Sequence, residues 1–220
     1  MKIFGWTMQR TSSLVQLDEA RSEAEYLNTF RAVMREAHQL ATSIPDATAV
    51  LKPEICHTIS NRERVVWRIP RPKGDYVFMR ADRYPNEDVN TDRWLVYVSA
   101  QQFYFWWRWS AEANPSKLNL PESNKNRPPI FSKIEDDYKY SLQYHWKEGV
   151  ENPTVLPKVH WDSENGIDFT DGMTRTMWLV RNGIAAFPVE TTEAEASGLH
   201  ALVGYVELKP RRLMDLWAQE

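Results

Sequence analysis

The segment Asp171-Gly172-Met173-Thr174-Arg175 brings together the residue types best suited to holding a ligand. It directly precedes an apolar-periodic run and so reads as the start of a helix. The first backbone N–H groups of a helix lack intrahelical partners and carry partial positive charge, so an anion can sit against them. Gly172 permits close approach, and Arg175 can clasp a phosphate through two parallel hydrogen bonds. Asp171, Gly172, Thr174 and Arg175 are therefore a candidate anion- or nucleotide-binding set. A purely structural reading competes with it, in which Asp171 caps the helix and Arg175 pairs with a neighbouring acid.

Other site chemistries find less support. Cys56 is the single cysteine, which excludes an internal disulfide, a cysteine zinc cluster and a two-cysteine redox pair. None of the five histidines stands four residues from another as a metal pair would. Glu135, Asp136 and Asp137 read as a solvated helix face rather than metal ligands. His160 lies beside Trp161 on an extended segment and reads as a structural histidine, with no serine or cysteine motif beside it. Lys73-Gly74 lacks the P-loop pattern, and Thr170 and Ser163 lack a nucleophile-elbow context. We therefore expect no catalytic residue, no metal site and no cofactor.

The elements that position these residues belong to a chain of 220 residues, 42% hydrophobic and 26% charged, the make-up of a soluble globular protein. The expectation is a helical N-terminal extension over 1–60 and one domain over 61–220. No run approaches the roughly 18 apolar residues of a membrane helix, and the first residues lack a signal-peptide pattern. A cytoplasmic protein without membrane insertion is expected. The net charge of −3 argues against direct nucleic-acid binding.

Leu17 to Ile44 has the three-and-four spacing of a long amphipathic helix, with Leu27, Phe30 and Met34 on its apolar side. RVVWRI (64–69) and YVFMR (76–80) flank the turn signal PRPKGD and predict a hairpin. ADRYPNEDVNTD reads as a polar loop before a third strand, Trp94–Val98. Ser99 to Ala113 opens with an S-x-x-Q capping box and predicts an aromatic helix with Phe103, Trp106 and Trp107 on one face. Ile130 to Glu148 predicts another helix. In the last third the pattern gives an extended segment 155–161, a turn SENG, a strand 167–169 and a helix 173–182 closed by Gly183. A strand 184–189 follows, then a helix opened by the T-x-x-E box of Thr192 and Glu195, a strand 205–208 and a terminal helix 211–217.

The stretch LPKVHWDSENGIDFTDGMTRTMWLVRNGIAAFPVE, with Gly172-Met173-Thr174-Arg175 as G-x-x-R, Asn182-Gly183 and Pro188-Val189, resembles the core motif of the ParB/sulfiredoxin-like superfamily. Within it, VVWRIPRPKGDYVFMRA, VYVSAQQFYFWWRW and the Pro157–Val159 strand are similar to the plasmid fertility inhibition factors. The resemblance spans roughly residues 64–203. It implies an α+β fold, a small mixed sheet with surrounding helices. Met173 stands where a sulfiredoxin has its reactive cysteine, and a thioether is no thiolate nucleophile. Thr174 stands where the family usually has histidine.

The resemblance further implies a plasmid-encoded protein that reduces conjugative transfer of a co-resident plasmid. It would do so by binding a type IV secretion component, foremost the coupling ATPase. Tyr104, Phe105, Arg108 and Trp109 cannot all share the core face of the aromatic helix and are the candidate partner-binding residues. The alternative is a ParB/sulfiredoxin-like enzyme that binds or hydrolyses nucleotides or cuts nucleic acid. There Gly172, Thr174 and Arg175 would hold phosphate and Asp168 or Asp171 would hold Mg²⁺.

Overall fold

The computed structural model describes residues 64–72, 74–112 and 149–217, together with 54–56 and positions between 24 and 39. Two mixed sheets, rather than one small sheet, organise these residues in an α+β architecture. The first has the order β1-β2-β3-β5, and the second β7-β6-β8-β4-β9. In the first sheet, β2 (Arg64–Pro70) and β3 (Tyr76–Asp82) form the expected hairpin. Residues of β3 alternate between exposed and buried, so Val77, Met79 and Ala81 point inward. The turn is closed by Arg71 N–H to Asp75 O at 2.8 Å, with Gly74 at φ 85°. Strand β1 (Glu54–Cys56) adds antiparallel to β2, and β5 (Thr154–Val155) adds parallel to β3. The sheet thus takes in residues from the N-terminal side of position 60.

In the second sheet β4 (Trp94–Ser99) and β8 (Ala186–Thr191) pair antiparallel at the centre. All six residues of β8 are buried, which explains its near-continuous apolar run. The hairpin of β6 (Lys158–Asp162) and β7 (Gly166–Asp171) lies on one side. Its turn is held by the Asp162 carboxylate, which accepts the N–H groups of Glu164 and Asn165 at 2.8 and 2.6 Å. On the other side β9 (Arg211–Arg212) covers the start of β4. The two sheets are joined in the core, where Trp67 Nε1 donates to the Tyr97 hydroxyl at 2.9 Å. Burial pushes the Tyr97 phenol above its ordinary range, although the Trp67 hydrogen bond works against this.

Among the described residues from 54 onward, five helices accompany the strands: α1 (Glu87–Thr91), α2 (Ala100–Glu112), α3 (Met173–Arg181), α4 (Glu193–Val203) and α5 (Leu213–Trp217). Helix α1 interrupts the segment expected to be a plain loop. It forms because Asn86 caps it, accepting the Asp88 N–H at 3.0 Å. The strand expected over 205–208 is a turn instead. Tyr205 N–H reaches Tyr97 O, then Leu208 N–H bonds back to Tyr205 O and reverses the chain. The capping box of Thr192 and Glu195 opens α4 as expected.

Helix α2 lies in contact with β4, β7, α3 and α4. It also seals a sheet edge. Ser110 Oγ accepts the Ile167 N–H of β7 at 2.9 Å, and the Asp168 carboxylate takes the next outward amide, Phe169 N–H, at 2.7 Å. The described positions between 24 and 39 are helical, but Leu27 and Met34 are 42% and 45% exposed. Spacing tells which residues share a face and not what covers it. The expected helix 130–148, with Glu135, Asp136 and Asp137, lies outside the described residues, as do most of residues 1–60.

Candidate functional site

The candidate anion site is built where β7 ends and α3 begins. Gly172 is the N-cap of α3 with φ 96°, a left-handed conformation that strains any residue with a Cβ. A Cβ there would also stand 2.6 Å from Pro157 Cα, because β6 starts directly against the turn. Glycine is thus required twice, once by the dihedral and once by the space. The Thr176 N–H bonds to Gly172 O at 2.9 Å and starts the helix.

Arg175 folds back over this turn, and its Nη2 donates to Asp171 Oδ2 at 2.6 Å. The guanidinium is mostly buried, whereas the Asp171 carboxylate is largely exposed. Arg175 Nε is buried without a hydrogen-bond partner among the described residues. The structural reading is therefore met in half. Arg175 has its acid, but Asp171 makes no cap hydrogen bond, since Gly172 occupies the cap position. Thr174 sits half-buried in the first turn of α3.

Beneath this turn lies a buried ionic network. Arg93 and Glu190 are each only 6% exposed. They pair through a fork, Nε to Oε1 at 2.9 Å and Nη2 to Oε2 at 2.8 Å. Arg93 Nη1 donates to Asp82 O at 2.7 Å and to Asn90 Oδ1 at 3.1 Å. The guanidinium also stacks over Tyr84, 4.3 Å from the ring centroid, and faces Trp217 at 5.3 Å. Lys158 is the register partner of both Asp171 and Glu190. Its ammonium donates to the Tyr84 hydroxyl at 2.7 Å and lies 3.7 Å from Glu190 Oε1. Burial alone would lower the Lys158 pKa, but the Tyr84 hydrogen bond and the Glu190 charge outweigh it and leave the pKa raised. These residues come from both sheets and from α1, and no short-range spacing marks them. The available hint is a charge at the end of an otherwise apolar strand, as in Pro188-Val189-Glu190.

On the second sheet His160 Nδ1 meets Glu195 Oε1 at 3.0 Å, while Glu195 Oε2 accepts from the Thr191 hydroxyl at 2.7 Å. Burial would raise the Glu195 pKa, but the hydrogen bonds from Thr191, His160 and Thr192 hold it below the ordinary carboxylate range. Thus His160 ties β6 to the start of α4.

The structure separates the four residues of the aromatic helix expected at a partner contact. Tyr104 is 1% exposed and Arg108 3% exposed, so neither presents a contact surface. Both are interior because α2 is packed by other elements on more than one side. Phe103 and Trp107 are fully buried as expected, Phe103 packing edge-to-face and Trp107 tilted against Phe169. Trp106, expected in the core, is only partly buried against it. Phe105 and Trp109 are half-buried, and each packs edge-to-face on Trp106. Among the described residues no group of three or more His, Cys, Asp or Glu side chains could hold a metal ion, and no helix is long and apolar enough to cross a membrane.

This fold and turn carry a family assignment. The family model for plasmid fertility inhibition factors matches residues 95–204, from β4 to α4, and the chain belongs to that family. A relative is Protein osa of Shigella flexneri, 34% identical over 145 residues that cover 64% of this chain and 69% of the relative. The crystal structure of Oncogenic Suppression Activity Protein, a plasmid fertility inhibition factor, as its gold(I) cyanide derivative, superposes with a TM-score of 0.65. It shares 28% identity and covers 89% of this chain and 95% of its own.

Proposed function

We propose that this protein acts in the cytoplasm of a donor cell and blocks conjugative transfer of a co-resident plasmid. It does so by binding a component of that plasmid's type IV secretion machinery, foremost the coupling ATPase, which recruits it to the inner membrane. The observation that carries the reading is the family match over the whole second-sheet core, from β4 to α4. A binding mode, rather than catalysis, is favoured by Arg175 being committed to Asp171. The order β6, β7, Gly172, α3, Gly183, β8 supports a ParB/sulfiredoxin-like core for this unit. The test is a mating assay over a panel of conjugative plasmids, scoring transconjugants per donor with and without the protein. A drop of several orders for one plasmid type at normal donor growth is expected. Undiminished transfer across the panel refutes the reading.

A second reading rests on one observation, the mostly buried Arg175 guanidinium lying over the left-handed Gly172 turn. There Gly172, Thr174 and Arg175 hold the phosphate of a nucleotide, with Asp168 or Asp171 toward Mg²⁺, and the protein is an enzyme. Thermal shift with ATP, CTP and Mg²⁺ separates the two. A nucleotide at 100 times its dissociation constant stabilises by about 2.7 kcal/mol, and no shift removes the enzyme.

A further inference from the structure

The face of the first sheet turned away from the core holds an arginine with unmet donors. On β2, Val65, Trp67 and Ile69 point into the core, so Arg64 and Val66 point the other way. Register sets Asp82 opposite Arg64 and Arg80 opposite Val66, so these four residues share the outer face. The Arg64 side chain is only 8% exposed. Its Nε is buried and has no hydrogen-bond partner. Among the described residues its one interaction is with Asp82 Oδ1, which stands 3.9 Å from Nε, too far for a hydrogen bond. A guanidinium carries five N–H donors, and a buried donor left unmade is costly.

Asp82 does not meet that need, because its Oδ2 already accepts Arg80 Nε at 2.9 Å. Arg80 Nη1 donates to Asn152 Oδ1 at 3.2 Å and to Pro153 O at 2.7 Å, while its Nη2 makes no hydrogen bond among the described residues. Two guanidiniums thus flank one carboxylate, and both keep spare N–H groups. The Asp82 side chain is 39% exposed and that of Arg80 21%, so a small guest can enter beside them. Planar N–H forks with one positive charge in excess match an oxyanion, which takes up the donors and the charge together. A neutral guest would leave the charge, and a cation would add to it.

We propose that Arg64, with Arg80 beside it, forms a binding site for a small oxyanion, phosphate or carboxylate. The site goes beyond both readings above and depends on neither. It lies on the first sheet, whereas the Gly172 turn follows a strand of the second, and Arg175 there already has its acid at 2.6 Å.

The test melts the full chain in sodium phosphate, sodium acetate and sodium chloride at one pH and matched ionic strength. Chloride gives the baseline. Arg64→Met removes the unmet donors and keeps an unbranched stem, so in chloride it is expected to melt at the wild-type temperature or above. The wild type is expected to show a saturable rise of several degrees in phosphate or acetate. That rise should vanish in Arg64→Met and persist in Arg175→Met. The variant also exposes the general stabilisation that phosphate gives any folded chain. A rise in phosphate names phosphate as the guest, and a rise in acetate names a carboxylate. No rise with either anion overturns the proposal, as does an equal rise in Arg64→Met. A rise lost in Arg175→Met and kept in Arg64→Met overturns it and gives the anion to the Gly172 turn. An Arg64→Met chain that melts several degrees lower in chloride, or fails to fold, overturns it too, because Asp82 would then already satisfy the guanidinium.

Discussion

Replacing Arg93 by methionine removes the cation from the network while keeping an unbranched side chain against Tyr84 and Trp217. The guanidinium makes four hydrogen bonds, two to Glu190 and one each to Asp82 O and Asn90. After the change the Glu190 carboxylate, 6% exposed, keeps only Lys158 at 3.7 Å among its charged partners. Removing one member of a buried ion pair costs about 3–5 kcal/mol, because the charge left behind is desolvated and uncompensated. We take about 4 kcal/mol, a large share of the roughly 5–15 kcal/mol that holds a domain together. For a chain of this length that lowers the melting temperature by about 12 °C, at about 3 °C per kcal/mol. Urea unfolding followed by tryptophan fluorescence reads the loss directly. The double variant Arg93→Met/Glu190→Met removes both charges and is expected to recover at least about 2 kcal/mol of it. A loss below about 1 kcal/mol for Arg93→Met, or a double variant no better than the sum of the singles, would refute the network as a stabilising unit.

Gly172→Ala meets both a left-handed φ and the Pro157 backbone, so it should cost at least about 2 kcal/mol in urea unfolding. A neutral result would mean that the turn relaxes. Tyr104→Ala empties a buried site and should cost about 3–5 kcal/mol, whereas half-buried Trp109→Ala should cost clearly less. Equal losses in chemical denaturation would contradict the packing of α2. Ser110→Ala strips the Ile167 N–H of its acceptor and should cost about 1–3 kcal/mol, with faster hydrogen exchange at that amide. Glu195 has its pKa lowered in the folded state, so its contribution is present above the ordinary glutamate value of 4.5 and lost as pH falls below it. Glu195→Gln should therefore flatten the fall of stability in that acid range, and an unchanged acid profile would remove the pairing from the account.

Local chemistry was readable wherever a few neighbouring residues decide it. The hairpin at 64–82 follows from alternation around a Pro- and Gly-containing turn. The Gly172 start and the Gly183 end of α3 follow from their own dihedral needs, φ 96° and 71°. The Thr192–Glu195 box likewise marks α4 within four residues. The helix α2 was readable as a helix but not for what covers it. Its aromatic residues suggested one buried side and one free side, and only the placement of β7, α3 and α4 around it shows that Tyr104 and Arg108 are also interior. The ionic network was not readable, since Arg93 and Glu190 stand 97 residues apart and meet only when β8 pairs with β4. Asn86 gives no sequence sign of its cap role, because the helix it opens is a turn and a half long, too short for an apolar period to appear.

The closed edge at β7 limits how this protein can meet other chains. An incoming strand needs outward amides and carbonyls to pair with. Ser110 and Asp168 have already taken the Ile167 and Phe169 amides, and bulky α2 stands beside them. Main-chain recognition, which tolerates almost any extended peptide, is thereby denied at this border of the larger sheet. An open strand edge would otherwise risk collecting unrelated strands and further copies of the chain there. What remains for association at that border is side-chain chemistry, which discriminates among partners, so the serine that blocks a hydrogen bond also keeps this side selective.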